Sequence, residues 1–335
     1  MKKSLKILAS IAAVLAFAGC AKETSESSSD AAVRYIEAWM AVHYPDVEPT
    51  GIGYYILPEG EKKGTGKSIG DDEFVFLEYN LTDLDGIVST TTYESVSKRV
   101  GTYASGSYYG PAVAQRGEGY MPAGLDFSMD GLNVGDSRKV ILPGWTNTTY
   151  RYDDDSYYKA KGSSTSSVIY EYTITDSTPD IILWQVDSLE RYVKRTMPGT
   201  DSLTYGFYLY SLTEITDTVT LQADSTVYVN YIGRRLDGSV FDTTIRDTAR
   251  AYGIYSSSKT YEPLEVVIDE DYTETTLDGS TTITGFGYAL SQMHKNQKAR
   301  VAFTSDWGYG YSGSSPRIPA YCPLEFEIEV VDEDD

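Results

Sequence analysis

The chain has few of the residues from which metal centres and nucleophilic active sites are built. Its 335 residues include only 2 cysteines and 2 histidines, His43 and His294. A cluster of His and Cys metal ligands, or a Ser-His-Asp triad, is therefore not predicted. Cys322 lies in a strand-like run, where burial as a small apolar side chain is favoured over chemical reactivity.

Positive charge is also scarce. Lys and Arg number 28 against 49 Asp and Glu, which gives a formal net charge of −21. Because such a surface repels polyphosphates, nucleic acid is not expected as a partner. Tyrosine is abundant instead, with 30 residues against 9 Phe and 4 Trp. Tyrosine suits half-exposed sheet faces, and it is also common on surfaces that bind proteins or glycans.

Long apolar runs are missing except near the N-terminus. Residues 7–17 are largely apolar but too few to span a bilayer, and three lysines precede them. Ala18, Gly19 and Cys20 follow, so residues 1–19 resemble a bacterial lipoprotein signal peptide, with Phe17 where Leu is usual. A simple secretory peptide cleaved elsewhere is the alternative.

The lipoprotein resemblance implies a particular fate for the N-terminus. Cys20 would carry the lipid, so no disulfide with Cys322 is expected. Residues 20–30 are polar and Ser-rich, which is typical of a disordered tether. The mature protein would be lipid-anchored in the bacterial cell envelope, on a periplasmic or surface face. Because Ala21 rather than an acidic residue follows the cysteine, the analogy favours the outer membrane.

The remainder of the chain contains a repeat. A helical pattern with apolar residues at three- and four-residue spacing occurs near residues 33–43 and again over residues 181–194, where Leu183 is placed on the apolar side. Asp85-Gly86 and Asp237-Gly238 are matching turns, and Gly124-Leu125 to Val140 aligns without gaps on Gly285-Phe286 to Val301. This indicates two tandem domains, residues 31–177 and 178–335.

Several stretches of the second copy resemble the FKBP-type peptidyl-prolyl cis–trans isomerase family in order and spacing. They are Val229-Asn230-Tyr231-Ile232-Gly233, Leu236-Asp237-Gly238, Val240-Phe241-Asp242, Pro263-Leu264-Glu265, Ile283-Thr284-Gly285-Phe286, Asp306-Trp307-Gly308-Tyr309-Gly310, Ile318-Pro319 and Leu324-Glu325-Phe326. The resemblance spans about a third of the chain. It implies an α+β fold for each domain: a twisted antiparallel sheet wrapped round a short helix, preceded by an N-terminal helix.

The resemblance also implies a pocket between sheet and helix. Its catalytic residues would be Tyr231, Phe241, Asp242, Ile283, Phe286, Tyr309 and Phe326, with Leu264 and Ile318 binding substrate. Leu264 stands where the family commonly has Phe, and Phe286 where it commonly has Trp. Insertions at residues 245–261 and 269–281 lengthen two loops, and the second one narrows or extends the pocket. Neither a metal nor a cofactor is implied.

The chemistry of X–Pro isomerisation fits these residue types. Rotation about the bond crosses a barrier of roughly 18–20 kcal/mol, because amide resonance is lost at the twist. The twisted amide is less charge-separated than the planar one, so a dry aromatic pocket favours it. Three phenylalanines would form walls for the prolyl ring. The Ile283 N–H and the Tyr309 hydroxyl would hold substrate carbonyls, and Asp242 would orient or polarise the substrate at the pocket edge.

The first copy lacks these parts. Val88-Ser89 stands opposite Phe241-Asp242, Leu125 opposite Phe286, and Thr148 opposite Tyr309. A degenerate, non-catalytic domain is therefore predicted. The leading hypothesis is an envelope-anchored folding factor whose second domain isomerises proline-containing polypeptide clients. One alternative is a binding module that grips extended peptides without turnover, and another is a glycan-binding surface lipoprotein.

Overall fold

Two antiparallel sheets, each wrapped round a short helix, make up the α+β fold of this chain. The computed structural model describes residues 28–152, 156, 166–216 and 219–332. The predicted lipidation site, Cys20, and residues 21–27 of the predicted tether lie outside the described residues. The last three tether residues, 28–30, begin the first helix instead of being disordered, because their backbone continues into its apolar, buried turns. Within the described ranges, no helix has both the length and the apolar character needed to cross a membrane.

Within the described residues of the first domain, three helices and one sheet have defined bounds. Its elements are α1 (Ser28–His43), β1 (Tyr55–Lys62), β2 (Phe74–Thr82), β3 (Val88–Thr91), α2 (Glu94–Val100), β4 (Ala112–Gln115), α3 (Ala123–Phe127), β5 (Ser137–Leu142) and β6 (Val168–Thr178).

The second domain repeats this plan with additions. Its elements are α4 (Ile181–Thr196), β7 (Ser202–Thr204), β8 (Phe207–Ser211), β9 (Thr226–Arg235), β10 (Val240–Thr243), α5 (Arg246–Ala251), β11 (Leu264–Val267), β12 (Thr276–Leu277), β13 (Ser280–Thr281), α6 (Thr284–Ser291), β14 (Lys298–Phe303), a 3-10 turn (Ser305–Trp307) and β15 (Leu324–Val331).

The two sheets share one strand order. The first runs β1-β5-β6-β2, with β3 and β4 on β2, and the second runs β8-β14-β15-β9, with β10 and β11 on β9. Their registers also correspond. Val140 pairs with Ile56 and Tyr170, as Val301 pairs with Leu209 and Phe326. The predicted α+β fold class, with two tandem domains that each wrap a sheet round a short helix, is confirmed. The hairpin of β12 and β13 is an addition in the second domain.

Each domain buries its short helix in the concave face of its sheet. On α6, Phe286, Ala289 and Leu290 are fully enclosed by sheet residues such as Val301 and Ile328. On the other face of each sheet lies the helix that precedes it. Thus Ile36 of α1 packs with Leu57, and Leu189 of α4 packs with Tyr208. Such apolar contacts contribute the largest share of fold stability.

The orientation of α4 differs from the prediction at one position. Leu183 was expected on the apolar side, but its side chain is 51% exposed. Gln185 is fully buried instead, because its amide accepts a hydrogen bond from the Ser305 backbone N–H (2.7 Å) and donates one to the Ser305 hydroxyl (2.9 Å). These bonds satisfy a buried polar group and set the rotation of the helix, so Leu183 lies on the far side.

The two domains meet across a short connection and a loop contact. After β6 ends at Thr178, the Asp180 side chain caps α4 by accepting from the N–H groups of Ile182 and Leu183. The Trp184 ring then lies 4.5 Å from that of Phe76. Further along, the Tyr108 backbone N–H of the first domain donates to the Pro316 carbonyl of the second (2.9 Å).

Candidate active site

A cavity of about 290 Å³ opens on the second domain between α6 and the strands β9, β10 and β15. Eight of the nine residues predicted for the site line it, namely Tyr231, Phe241, Asp242, Ile283, Phe286, Tyr309, Ile318 and Phe326. They come from three strands, one helix and two loops, so only the folded domain brings them together. The remaining lining residues are Leu277, Thr282, Ser314, Ser315, Pro316 and Arg317.

Four aromatic rings form the floor of the cavity. Phe326 is central: its ring centroid lies 5.4 Å from that of Phe286, 5.5 Å from Phe241 and 6.1 Å from Tyr231. Phe286 and Phe241 both meet it edge to face, an arrangement that aromatic quadrupoles favour. Phe286 is only 1% exposed, so it supports the floor from beneath.

Gly233 makes this packing possible. A Cβ atom at position 233 would lie 2.6 Å from the Phe241 ring and 3.0 Å from the Phe326 ring. No real side chain tolerates such an approach, so the glycine lets both rings close over the strand. In the first domain the sheet register places Leu81 at the equivalent position, opposite Tyr170.

Asp242 sits at the edge of the cavity with three donors around its carboxylate. The Tyr231 hydroxyl donates to Oδ2 (2.6 Å), the Thr243 backbone N–H donates to Oδ1 (2.9 Å), and the Lys259 ammonium forms an ion pair with Oδ1. These contacts fix the carboxylate in one orientation. Burial, together with the charge of Asp242, raises the pKa of Tyr231 far above its usual value, so its hydroxyl remains a donor.

Two further donors border the opening. Ile283 precedes the first turn of α6, where its backbone is extended and its carbonyl accepts from the Phe286 N–H (3.0 Å). The Tyr309 hydroxyl lies on the facing side, and its residue is 37% exposed. Burial of the phenol, and secondarily the charge of Asp242, raises the pKa of Tyr309. Among the described residues, neither the Ile283 N–H nor the Tyr309 hydroxyl has a hydrogen-bond partner.

Leu264 is the one predicted residue that does not line the cavity. On β11 it pairs with Val229 and packs against the edge of the core. The inserted β12–β13 hairpin pairs with β11 and places Leu277 in the cavity wall instead. The insertion therefore reshapes the wall that Leu264 was expected to form.

Sequence reasoning named Ile318 but missed residues 314–317 beside it in the same loop, and it also missed the lysine that reaches Asp242. Arg317 donates from Nη1 to the Phe241 carbonyl (2.8 Å), which ties this loop to β10. Lys259 comes from the first insertion, residues 245–261. For Lys259 the length of this insertion was the only available signal, because nothing in its residues predicts which side chain turns towards the site.

The corresponding positions of the first domain differ in chemistry. The sheet register places Ser89 and Thr90 opposite Phe241 and Asp242, not Val88 and Ser89 as predicted, because Thr90 pairs with Leu81 as Asp242 pairs with Gly233. Both side chains lie exposed on β3, and the Ser89 hydroxyl donates to the Leu81 carbonyl (3.1 Å). Leu125 is buried on α3, and the Thr148 carbonyl accepts from the Ala123 N–H (2.9 Å). These positions therefore carry neither the aromatic walls nor the carboxylate of the second domain.

The second domain matches a known protein family. The model of the family described as FKBP-type peptidyl-prolyl cis-trans isomerase matches residues 217–331. FK506-binding protein 1A of Aspergillus fumigatus is 31% identical over 105 residues, which are 31% of this chain and 74% of that protein. Peptidyl-prolyl cis-trans isomerase FKBP10 of Bos taurus is 23% identical over 269 residues, 79% of this chain. The chain spans about a third of the length of FKBP10, at 35%.

Solved structures of similar proteins include two from bacteria. The peptidyl-prolyl cis-trans isomerase of Pseudomonas syringae pv. tomato is 26% identical, with 47% of this chain and 96% of that chain covered and a TM-score of 0.32. FkpA from Escherichia coli is 23% identical, with 45% and 57% covered and a TM-score of 0.32.

Proposed function

Because this chain belongs to the FKBP-type peptidyl-prolyl cis–trans isomerase family, we propose that its second domain catalyses rotation about X–Pro peptide bonds in polypeptides. One observation carries the proposal. The residues at positions that match the family's pocket line one open cavity of about 290 Å³ with an aromatic floor. A prolyl ring is a compact apolar group of the kind that such a cavity takes.

The proposed mechanism depends on differential binding of the twisted amide. In the planar ground state the amide is charge-separated and well solvated, whereas at the twist it loses resonance and polarity. Phe241, Phe286 and Phe326 exclude water around the prolyl ring and so favour the less polar state. No bond is broken or formed, so neither a nucleophile nor a cofactor takes part in the reaction.

Polar groups at the opening position the peptide. The Ile283 N–H and the Tyr309 hydroxyl donate to substrate carbonyls on either side of the cavity. Asp242, oriented by Tyr231 and Lys259, places a negative charge beside the rotating bond. As an acceptor at the edge of the cavity, the fixed carboxylate takes a hydrogen bond from a substrate backbone N–H and so holds the peptide while the X–Pro bond rotates.

An isomerase assay on a short X–Pro peptide tests the proposal. Phe241→Leu spares most of the side-chain volume but opens the wall to water, and we expect a large loss of kcat/KM. Tyr309→Phe removes one hydrogen bond, about 1 kcal/mol in the barrier, and is expected to slow turnover several-fold. Tyr311→Phe is the matched control, because Tyr311 is 76% exposed and does not line the cavity.

If Phe241→Leu and Tyr309→Phe both melt and turn over substrate like the parent, the cavity is not the catalytic site. If the parent itself is inactive on every X–Pro peptide, the inserted loops close the site to substrate, and a binding module becomes the better description.

The proposed setting is the bacterial envelope, with the first domain as a non-catalytic partner of the second. The lipoprotein-like residues 1–20 support anchoring, and the loss of aromatic and carboxylate side chains supports an inactive first domain. A cysteine that carries two or more lipid chains holds a protein stably at a bilayer. Cys20→Ala should release the protein into the soluble periplasmic fraction, and a variant that still sediments with membranes would refute the anchor.

A further inference from the structure

The largest of the described cavities lies between the two domains, outside the site already described. It measures about 680 Å³ and is called the interdomain groove here; its principal walls are Phe76, Tyr109, Trp184, Arg191, Arg195 and Tyr321. The two tyrosines and the tryptophan are half-buried, so they present both apolar faces and polar edges to the groove. Side chains of this kind are typical of surfaces that bind polypeptides.

Some charged groups of the groove already have hydrogen-bond or ion-pair partners within the protein, and others are open to a ligand. The Asp176 carboxylate accepts from the Trp184 indole N–H (2.9 Å) and from the Ser177 backbone N–H (2.8 Å). Arg235 is 5% exposed, and its guanidinium lies over the Tyr108 ring and donates to the Arg317 carbonyl. The second carboxylate of the groove, Asp237, forms an ion pair with Arg235 (3.4 Å). These groups hold the two domains together and have little capacity left for a ligand.

Arg191 and Arg195 are different. They lie one turn apart on α4 and both are exposed. Arg191 donates to the Ser188 hydroxyl (3.1 Å), and the Arg195 guanidinium lies 5.6 Å above the Tyr192 ring. Neither guanidinium forms an ion pair with a carboxylate among the described residues, although the chain as a whole carries −21. Two open guanidinium groups beside an apolar wall match a ligand that has both an apolar group and a carboxylate.

The groove and the catalytic cavity share a wall. Residues 314–318 line the cavity, and the next residues, 319–323, line the groove. Five residues of extended chain span at most about 17 Å, so the two sites lie within reach of one polypeptide. Cys322 on this wall is not a reactive group, because burial raises the pKa of its thiol to about 12.

We propose that the interdomain groove is a second binding site, which takes an extended polypeptide segment carrying an aromatic or aliphatic side chain next to an acidic one. The apolar side chain packs against Phe76 and Trp184, and the carboxylate pairs with Arg191 and Arg195. That this segment belongs to the same client as the isomerised proline rests on the proposed function; the binding itself does not.

Calorimetric titration of the full chain tests the proposal with a probe that contains no proline, acetyl-Glu-Phe-Leu-Glu-Phe amide. Its counterpart with Lys in place of both Glu is the second probe. We expect the Glu peptide to bind at least roughly tenfold more tightly than the Lys peptide. If only the net charge of −21 governed binding, the Lys peptide would bind more tightly than the Glu peptide. The groove and the overall charge therefore predict different results.

A pair of double variants assigns the binding to the groove. Arg191→Gln with Arg195→Gln should weaken binding of the Glu peptide roughly tenfold and leave the Lys peptide little changed. Arg246→Gln with Arg250→Gln removes the same charge at the same spacing from α5, which does not line the groove, and should have less than about a twofold effect.

Three results would overturn the proposal. The first is no binding of the Glu peptide by the parent at millimolar concentration, and the second is equal weakening by the two double variants. The third is a dimer in sedimentation that dissociates in Arg191→Gln/Arg195→Gln and takes up no peptide, since a second copy of the chain would then occupy the groove. Because the probes contain no proline, each result stands whether or not the protein isomerises X–Pro bonds.

Discussion

The Tyr231 hydroxyl donates a 2.6 Å hydrogen bond to the Asp242 carboxylate across the edge of the cavity. Tyr231 lies on β9 and Asp242 on β10, and the register between these strands shifts at Asp242, where Gly233 is its partner. The irregularity turns the carboxylate towards the cavity rather than along the sheet face. The hydrogen bond then holds it there, so a local backbone feature and one side-chain contact together set the polar edge of the site.

Tyr231→Phe is expected to lower kcat/KM roughly tenfold, because it removes one hydrogen bond to a charged acceptor, worth about 1.5 kcal/mol, while keeping the ring. Isomerase kinetics on an X–Pro peptide and a thermal melt measure the two effects separately. Tyr205→Phe, at a residue 61% exposed, is the control and should match the parent. A fully active Tyr231→Phe protein would show that the orientation of Asp242 does not depend on this bond.

Lys259→Met is expected to change activity more than stability. The Lys259 and Asp242 side chains are about one-third exposed, at 32% and 38%, so solvent screens their ion pair and its loss should cost less than about 1 kcal/mol of unfolding free energy. Without the ammonium, the carboxylate gains rotational freedom and kcat/KM should fall several-fold. Lys295→Met removes an exposed lysine paired with Asp332 and serves as the control. Equal kinetics in both variants would exclude a positioning role for Lys259.

Gly233→Ala should damage the aromatic floor. The new methyl group would meet the Phe241 ring at 2.6 Å, so the ring must move and the protein should lose about 1–3 kcal/mol of stability. Turnover should fall further than the loss of folded protein explains. Gly51→Ala is the matched control, because nothing lies within 4 Å of a Cβ atom there. Denaturant unfolding measures the stability of both variants, and kinetics at equal folded fraction compares their turnover. Wild-type turnover by Gly233→Ala would contradict the packing argument.

Glu327 gives a pH-dependent contribution to stability. Burial alone would raise the pKa of its carboxyl, but the hydrogen bond and charge of Lys298, together with Arg234 and Arg300, outweigh burial and hold the pKa below the ordinary value of 4.5. In the window below 4.5 the unfolded state binds more protons than the folded state, so the stabilisation is present above that pH and is lost as pH falls through the folded pKa.

Glu327→Gln should therefore be less stable than the parent by about 1 kcal/mol at pH 7, and the difference should shrink as the pH falls below 4.5. Urea unfolding of both proteins across this range measures the difference directly. A gap that stays constant from neutral to acid pH would mean that Glu327 contributes through packing and hydrogen bonding alone.

The repeat of one domain plan, with a helix at the start of each copy, follows from the sequence by itself. Alternating strands, Asp-Gly turns and the aligned stretches from Gly124 and Gly285 are local patterns, and local patterns report which residues share a sheet face. For the same reason eight of the nine residues expected in the pocket do line one cavity, since their spacing along β9, β10, α6 and β15 leaves the sheet few ways to arrange them.

Only the tertiary structure decided the contacts made by loops and by the domain interface. Lys259 reaches Asp242, Leu277 takes the wall expected of Leu264, and Gln185 rather than Leu183 faces the core of the second domain. Each of these joins residues whose separation along the chain carries no periodic signal. Their positions depend on how inserted hairpins and neighbouring elements pack, which is a balance of many non-local contacts. The groove containing Arg191 and Arg195 exists only because both domains contribute its walls.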